Sequence, residues 1–156
     1  MDLQDGLRQR IASIRTNWSM ASSEVVRERT TRAAAWLEKI ETILSRPEAE
    51  FLPEDRDLAS FYLFLVTQEC IHLLAYWIAG SGWDTPDDAA SAFELLADRA
   101  AIDRGLATRL RRMLRLRDLI SHGDLPEEYE HIQNEYREGV ANLRRFLAAV
   151  AIEAGL

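Results

Sequence analysis

Residues 58–79 constrain this chain more than any other part of it. They are apolar almost all the way round a helix, and Gln68, Glu69 and His72 interrupt the middle. A helix with no polar side has to be surrounded, by other helices, by a second subunit or by lipid. The stretch is long enough for a bilayer, but an unpaired carboxylate at mid-span costs several kcal/mol in hydrocarbon. It therefore reads as the central helix of a bundle or as one at a subunit interface, and no membrane partner is expected.

The rest of the chain offers the helices to surround it. Leu3, Leu7, Ile11, Ile14 and Trp18 fall on one stripe of an N-terminal helix, and residues 19–23 read as a break. A second helix is predicted from about Glu24 to Leu44, burying Val25, Ala33, Trp36, Leu37, Ile40 and Leu44. Pro47 and Pro53 bracket a short connection, and the apolar helix starts near Pro53-Glu54-Asp55 and stops at Gly80-Ser81-Gly82. Thr85-Pro86-Asp87-Asp88 opens a short helix carrying Phe93, Leu95 and Leu96. Asp103 caps a helix from Arg104 to about Ser121, which Gly123 ends. Pro126-Glu127-Glu128 opens a last one on Tyr129, Ile132, Tyr136, Val140, Leu143, Phe146, Leu147 and Val150. No strand alternation and no internal repeat occurs. The expected fold is an all-α bundle of five or six helices, with 1–23 as a helical extension and 24–156 as the domain proper.

Charge narrows the function. There are 26 acidic against 19 basic residues, a net charge of −7, and only one base, Lys39, is a lysine. Such a chain repels polyanions overall, so non-specific coating of nucleic acid or anionic lipid is excluded and any polyanion site must be local. The one cysteine, Cys70, excludes an intramolecular disulfide framework and a multi-cysteine zinc site. It reads as a small buried apolar residue and fits a cytoplasmic location. So does the opening Met-Asp-Leu-Gln-Asp, which lacks the basic and apolar run of a signal peptide.

One stretch runs against the net charge. Residues 104–117 hold six arginines (104, 109, 111, 112, 115 and 117) and no acid. For Arg104, Arg109 and Arg112 a solvated face bridging to the acidic last helix is an adequate reading. At 100° per residue, Leu106, Leu110, Met113 and Leu114 make an apolar stripe about 100° wide, and Arg117 projects into its middle. A guanidinium cannot be neutralised, so on a core face it needs a carboxylate, a partner subunit or a phosphate. His122 follows at the helix end. Asp118, four residues earlier, is placed to reach and orient the imidazole, and Arg111 and Arg115 share the azimuth of His122. A core-facing Arg, a supported His and two flanking Arg suit phosphate chemistry.

Arg117-Asp118-Leu119-Ile120-Ser121-His122 resembles the Arg-x4-His motif of the HEPN superfamily. The resemblance extends over about residues 24–149 and is similar to the HepT toxin family. It is carried by Gln68-Glu69-Cys70-Ile71-His72 and Trp77-Ile78-Ala79, by Pro86, Phe93-Glu94-Leu95-Leu96 and Ile102, and by Tyr129, Ile132, Glu135, Leu143 and Phe146. It implies a HEPN-like helical homodimer, an endoribonuclease toxin acting without metal or other cofactor on an RNA such as a tRNA or mRNA. Its partner would be a nucleotidyltransferase antitoxin (MntA-like). Carried over, Arg117 and His122, with Asp118 as their polar companion, are catalytic residues at a cleft between two protomers; Arg111 and Arg115, from their shared azimuth with His122, are the expected substrate-binding residues. The family's antitoxin adds AMP to a Tyr two residues after the His. Here Gly123-Asp124 follow and the acceptor is missing, so binding to such a partner is implied but not AMP transfer at that position.

The chemistry is coherent on its own terms. RNA is cleaved when its 2′-OH attacks the adjacent phosphate, which requires a base, an acid and stabilisation of added negative charge. A two-fold dimer supplies two His122 and two Arg117, and it gives Arg117 a polar cleft to face. Two other readings compete. A HEPN-type dimer could hold RNA or nucleotide, or sequester a partner, without turnover. Glu69-x-x-His72 and Glu128-x-x-His131 match the ligand spacing of di-metal bundles. That match ranks last, because His131 projects roughly 130° from its helix's apolar stripe. Gln68, Glu69, His72 and Tyr76 form one polar arc, read as lining the dimer cleft or as a satisfied polar patch. Trp18, Trp36, Trp77 and Trp83 read as core or interface anchors, with Trp18 alternatively packing on a partner.

Overall fold

The computed structural model describes residues 6–16 and 21–156, and among these it contains six α-helices and no strand. The helices are α1 (Gly6–Thr16), α2 (Ala21–Leu44), α3 (Pro53–Ser81), α4 (Ala89–Asp98), α5 (Arg104–Ser121) and α6 (Tyr129–Ala154). The fold is the expected all-α, HEPN-like bundle. Its axis is α3, against which each of the other five helices packs.

Local chemistry sets the ends of these helices. Pro53 occupies the first turn of α3, and the Asp55 carboxylate accepts the Leu52 N–H at 2.9 Å while pairing with Arg46 at 2.9 Å. Asp88 accepts from the Ser91 N–H at 2.8 Å, and Asp103 from the Leu106 N–H at 2.9 Å. These are the two caps expected from sequence. Gly82 and Gly123 close α3 and α5 with φ of 70° and 77°, a region that disfavours residues bearing a Cβ.

Leu63, Val66, Leu74 and Ile78 of α3 meet Leu37, Ile40 and Leu44 of α2 and Tyr136 and Phe146 of α6 in one continuous core. Phe146 receives Phe93 edge-on at 5.5 Å between ring centroids. By length and composition α3 could cross a membrane, but 61% of its apolar window is buried inside the bundle. The last carbonyl of α2, at Leu44, and that of Arg46 just beyond the helix are satisfied by α6. Gln133 and Arg137 donate to the Leu44 carbonyl at 2.9 and 3.0 Å, and Tyr129 donates to that of Arg46 at 2.7 Å.

The amphipathic α1 is docked, with Leu7 and Ile11 buried. Arg8 pairs with Asp87 at 2.6 Å. Arg15 donates to the Ile78 and Trp83 carbonyls and to the Thr85 hydroxyl, tying α1 to the end of α3 and the loop beyond. Leu3 and Trp18, expected on the same stripe, lie outside the described residues. Three expectations shift. The second helix begins at Ala21, so Ser22 and Ser23 are helical and not part of a break. Val26, not Val25, takes the core position near its start. Trp36 is only half-buried.

Candidate active site

The stripe on α5 is buried as its spacing requires, through Leu106, Leu110, Met113 and Leu114, and Arg117 is buried with it at 3% exposure. The guanidinium does not meet hydrocarbon. Its Nε and Nη2 donate to one carboxylate oxygen of Asp118 at 3.2 and 2.9 Å, and its Nη1 donates to Gln68 Oε1 on α3 at 3.3 Å. Arg117 thus bridges the basic helix to the polar interruption of the apolar one. That satisfies much of the desolvation demand of a buried cation.

Asp118 does not serve His122 as the spacing suggested. Its carboxylate turns to the guanidinium, while His122 Nδ1 lies 2.6 Å from the Asp118 backbone carbonyl. Two physical preferences explain this. A carboxylate binds a charged guanidinium in preference to an imidazole. The last carbonyls of a helix lack intrahelical partners and accept from whatever donor is near. A carbonyl only accepts, so Nδ1 carries the hydrogen of this contact, and Nε2 of the exposed ring is left free of it.

Arg111, Arg115, Arg117 and Asp118 line one cavity of about 120 Å³ together with Leu114 and the first residues of α4, Asp88, Ala89 and Ala90. The structure therefore assembles the two flanking arginines with Arg117. His122 is not among the lining residues; it stands two turns beyond Arg115, about 10 Å along the axis. Arg111 is paired with Glu94 of α4, whereas Arg115 is exposed and has no ion-pair partner among the described residues. Arg109 and Arg112 face Glu135 and Glu138 of α6 across a shallow groove. Arg104 pairs instead with Asp98 at 2.6 Å, at the end of α4 and not on the last helix.

The polar arc of α3 divides four ways. Gln68 goes to Arg117. Glu69 is buried and taken by two arginines of α2, Arg29 at 2.9 Å and Arg32 at 3.7 Å. His72 is half-buried; desolvation, then Arg10 and Arg29, hold it down to about 4, against the opposing pull of Glu69. Tyr76 lines a separate cavity of about 250 Å³ with Ser22, Trp77 and Glu153. Burial, then Glu69, pushes the Cys70 thiol well above its ordinary range, in keeping with a core role. His131 is exposed and lies 3.6 Å from Glu135. No group of three or more His, Cys, Asp or Glu is arranged to hold a metal among the described residues.

Three cationic neighbours of this site, Arg10, Arg29 and Arg32, escaped the sequence reading. A signal existed for Arg10: it stands between Leu7 and Ile14 on the stripe of α1, as Arg117 stands on that of α5.

The family model described as Ribonuclease HepT-like matches residues 33–150, which span most of α2 through most of α6 and include Gln68, Arg117, Asp118 and His122. No curated protein and no solved structure matches the chain.

Proposed function

The chain belongs to the HepT-like ribonuclease family, and from that premise we propose that it is a metal-independent endoribonuclease, the toxin of a toxin–antitoxin pair, whose site is completed by a second copy of itself. The observation that carries this reading is the placement, five residues apart at the end of α5, of a buried, doubly braced Arg117 and a His122 whose Nδ1–H is pinned by a backbone carbonyl.

In the proposed reaction Nε2 of one His122 takes the proton of the RNA 2′-OH. That oxygen attacks the adjacent phosphorus, and Arg117 stabilises the charge gathered on the non-bridging oxygens. The His122 of the second copy, protonated, delivers a proton to the departing 5′-oxygen. The products are a 2′,3′-cyclic phosphate and a 5′-hydroxyl. Arg111 and Arg115, on the same wall as Arg117, hold flanking phosphates.

The homodimer is supported by exposed apolar surface beside the site. Leu58 and Phe61 of α3 are 44% and 55% exposed, and they lie on the helical face that continues through Leu65 to Gln68. Leu119, next to Asp118, is 48% exposed. An apolar stripe running into Gln68 and Arg117 is what a two-fold contact would cover. The proposed antitoxin is a nucleotidyltransferase that neutralises by binding, since Gly123-Asp124 offers no tyrosine.

The assay is cleavage of total RNA with analysis of product ends. Cyclic phosphate ends that disappear in His122→Ala support the assignment; unchanged cleavage in that variant overturns it. A second reading, an RNA-holding dimer without turnover, draws on the absence of His122 from the arginine-lined cavity. It predicts RNA binding with no products from either protein.

A further inference from the structure

Arg10 lies on the face that α1 turns towards α3, between the buried Leu7 and the partly buried Ile14, and is itself half-buried. Its side chain folds back along the helix, so that a Cβ added to Gly6 would sit 3.8 Å from its Cζ. The other arginines of α1 are engaged: Arg8 holds Asp87, and Arg15 holds carbonyls beyond α3. Arg10 has neither an ion pair nor a hydrogen-bond acceptor among the described residues.

Its charged neighbours are Arg29, Arg117 and Glu69. Both carboxylates of this neighbourhood are already used, Glu69 by Arg29 and Arg32, and Asp118 by Arg117. Four guanidiniums thus share two carboxylates, and the buried Arg29 Nε–H has no acceptor among the described residues. The electrostatics agree. Desolvation, then Arg29 and Arg117, pull the Arg10 guanidinium below its ordinary value. A half-buried cation beside like charges is costly until an anion joins it. A phosphodiester supplies what is short, a full negative charge and two unesterified oxygens able to accept from more than one guanidinium.

We propose that Arg10 and Arg29, beside Arg117, form an anion subsite that takes the backbone phosphate of the bound RNA next to the scissile one. The inference rests on the ribonuclease reading above. Arg10 and Arg29 both lie outside the matched residues 33–150, whereas Arg117 lies within them. Helix α1 is then a piece of the substrate site and not a detachable appendage.

The test uses the full-length protein and a short, fully 2′-O-methylated RNA, which cannot be cleaved through its 2′-oxygen. Binding is followed by fluorescence anisotropy across a series of salt concentrations for wild type, Arg10→Gln and Arg10→Lys. Arg10→Gln is expected to bind several-fold more weakly at low salt. Its slope of log affinity on log salt should be shallower by about 0.7, the contribution of one single-strand phosphate contact. Arg10→Lys should keep the wild-type slope. Equal slopes for wild type and Arg10→Gln overturn the subsite. An equal loss in both variants also overturns it, by assigning Arg10 to the docking of α1. A wild type that cleaves RNA and shows no Arg10 effect refutes the subsite alone; a wild type that binds no RNA refutes the ribonuclease reading with it.

Discussion

Replacing Asp118 by alanine decides which side chain its carboxylate serves. Two guanidinium donors of Arg117 end on one of its oxygens, at 2.9 and 3.2 Å, while the imidazole of His122 is held by the backbone carbonyl. Breaking a fully buried pair costs about 3–5 kcal/mol; an exposed one contributes about 0–1 kcal/mol. This pair lies between those limits, since Arg117 is 3% exposed and Asp118 43%. Water reaches and screens the carboxylate but not the guanidinium. The expected cost of Asp118→Ala is therefore about 2 kcal/mol, or about 4–8 °C in Tm for a chain of this length. Thermal and urea unfolding at one fixed protomer concentration, needed because the protein is proposed to dimerise, give the numbers. A cycle with Arg117→Met should show coupling of about 1–2 kcal/mol, and a cycle with His122→Ala should be additive to within about 0.5 kcal/mol. Coupling to His122 with none to Arg117 would refute the geometry described above.

Other outcomes follow from single positions. Ala100 has φ of 56°, a conformation that costs an alanine about 1–2 kcal/mol, so Ala100→Gly should raise the urea midpoint despite glycine's greater freedom when unfolded. His72 is held down to about 4 when folded against about 6.5 when unfolded. Its contribution is present above about pH 6.5 and is lost as pH falls towards about 4. His72→Gln should flatten that part of the stability profile, and an unchanged profile would count against the burial of this ring. Ser60 bonds both the Arg56 carbonyl at 2.7 Å and the Tyr136 hydroxyl at 2.5 Å. Ser60→Ala strands the hydroxyl of the wholly buried Tyr136 and should cost about 1–3 kcal/mol, more than Tyr136→Phe, which leaves Ser60 with a partner. The reverse order in denaturant unfolding would contradict this.

What the sequence disclosed depended on whether a property was local. Helix existence and caps are local, and Asp88, Asp103, Gly82 and Gly123 end their helices where the residue types require. The burial of Arg117 was legible because an 18-residue helix with one apolar stripe leaves little choice about which side faces in. The choice made by the Asp118 carboxylate was not. Spacing says that it reaches position 122 but not that a guanidinium, itself braced by Gln68 from another helix, competes for it. Glu69 shows the same limit, since its partners come from α2, forty residues earlier in the chain. The shift from Val25 to Val26 follows from the face that α2 turns inward, on which Val26 falls in line with the buried Ala33, Leu37 and Ile40. The cationic surplus at Arg10, Arg29 and Arg117 belongs to three helices at once, so only their packing exposes it.

The central claim is that one cleavage site needs the histidines of two copies. Wild type and His122→Ala, mixed in equal amounts and allowed to exchange subunits, test it through the initial rate of RNA cleavage. If one His122 acts as base and the other as acid, only dimers with two wild-type copies cleave. Statistical pairing then leaves about a quarter of the rate shown by the same total concentration of wild-type protomers. Retention of about half of that rate would mean that each copy cleaves on its own, and would contradict the composite site.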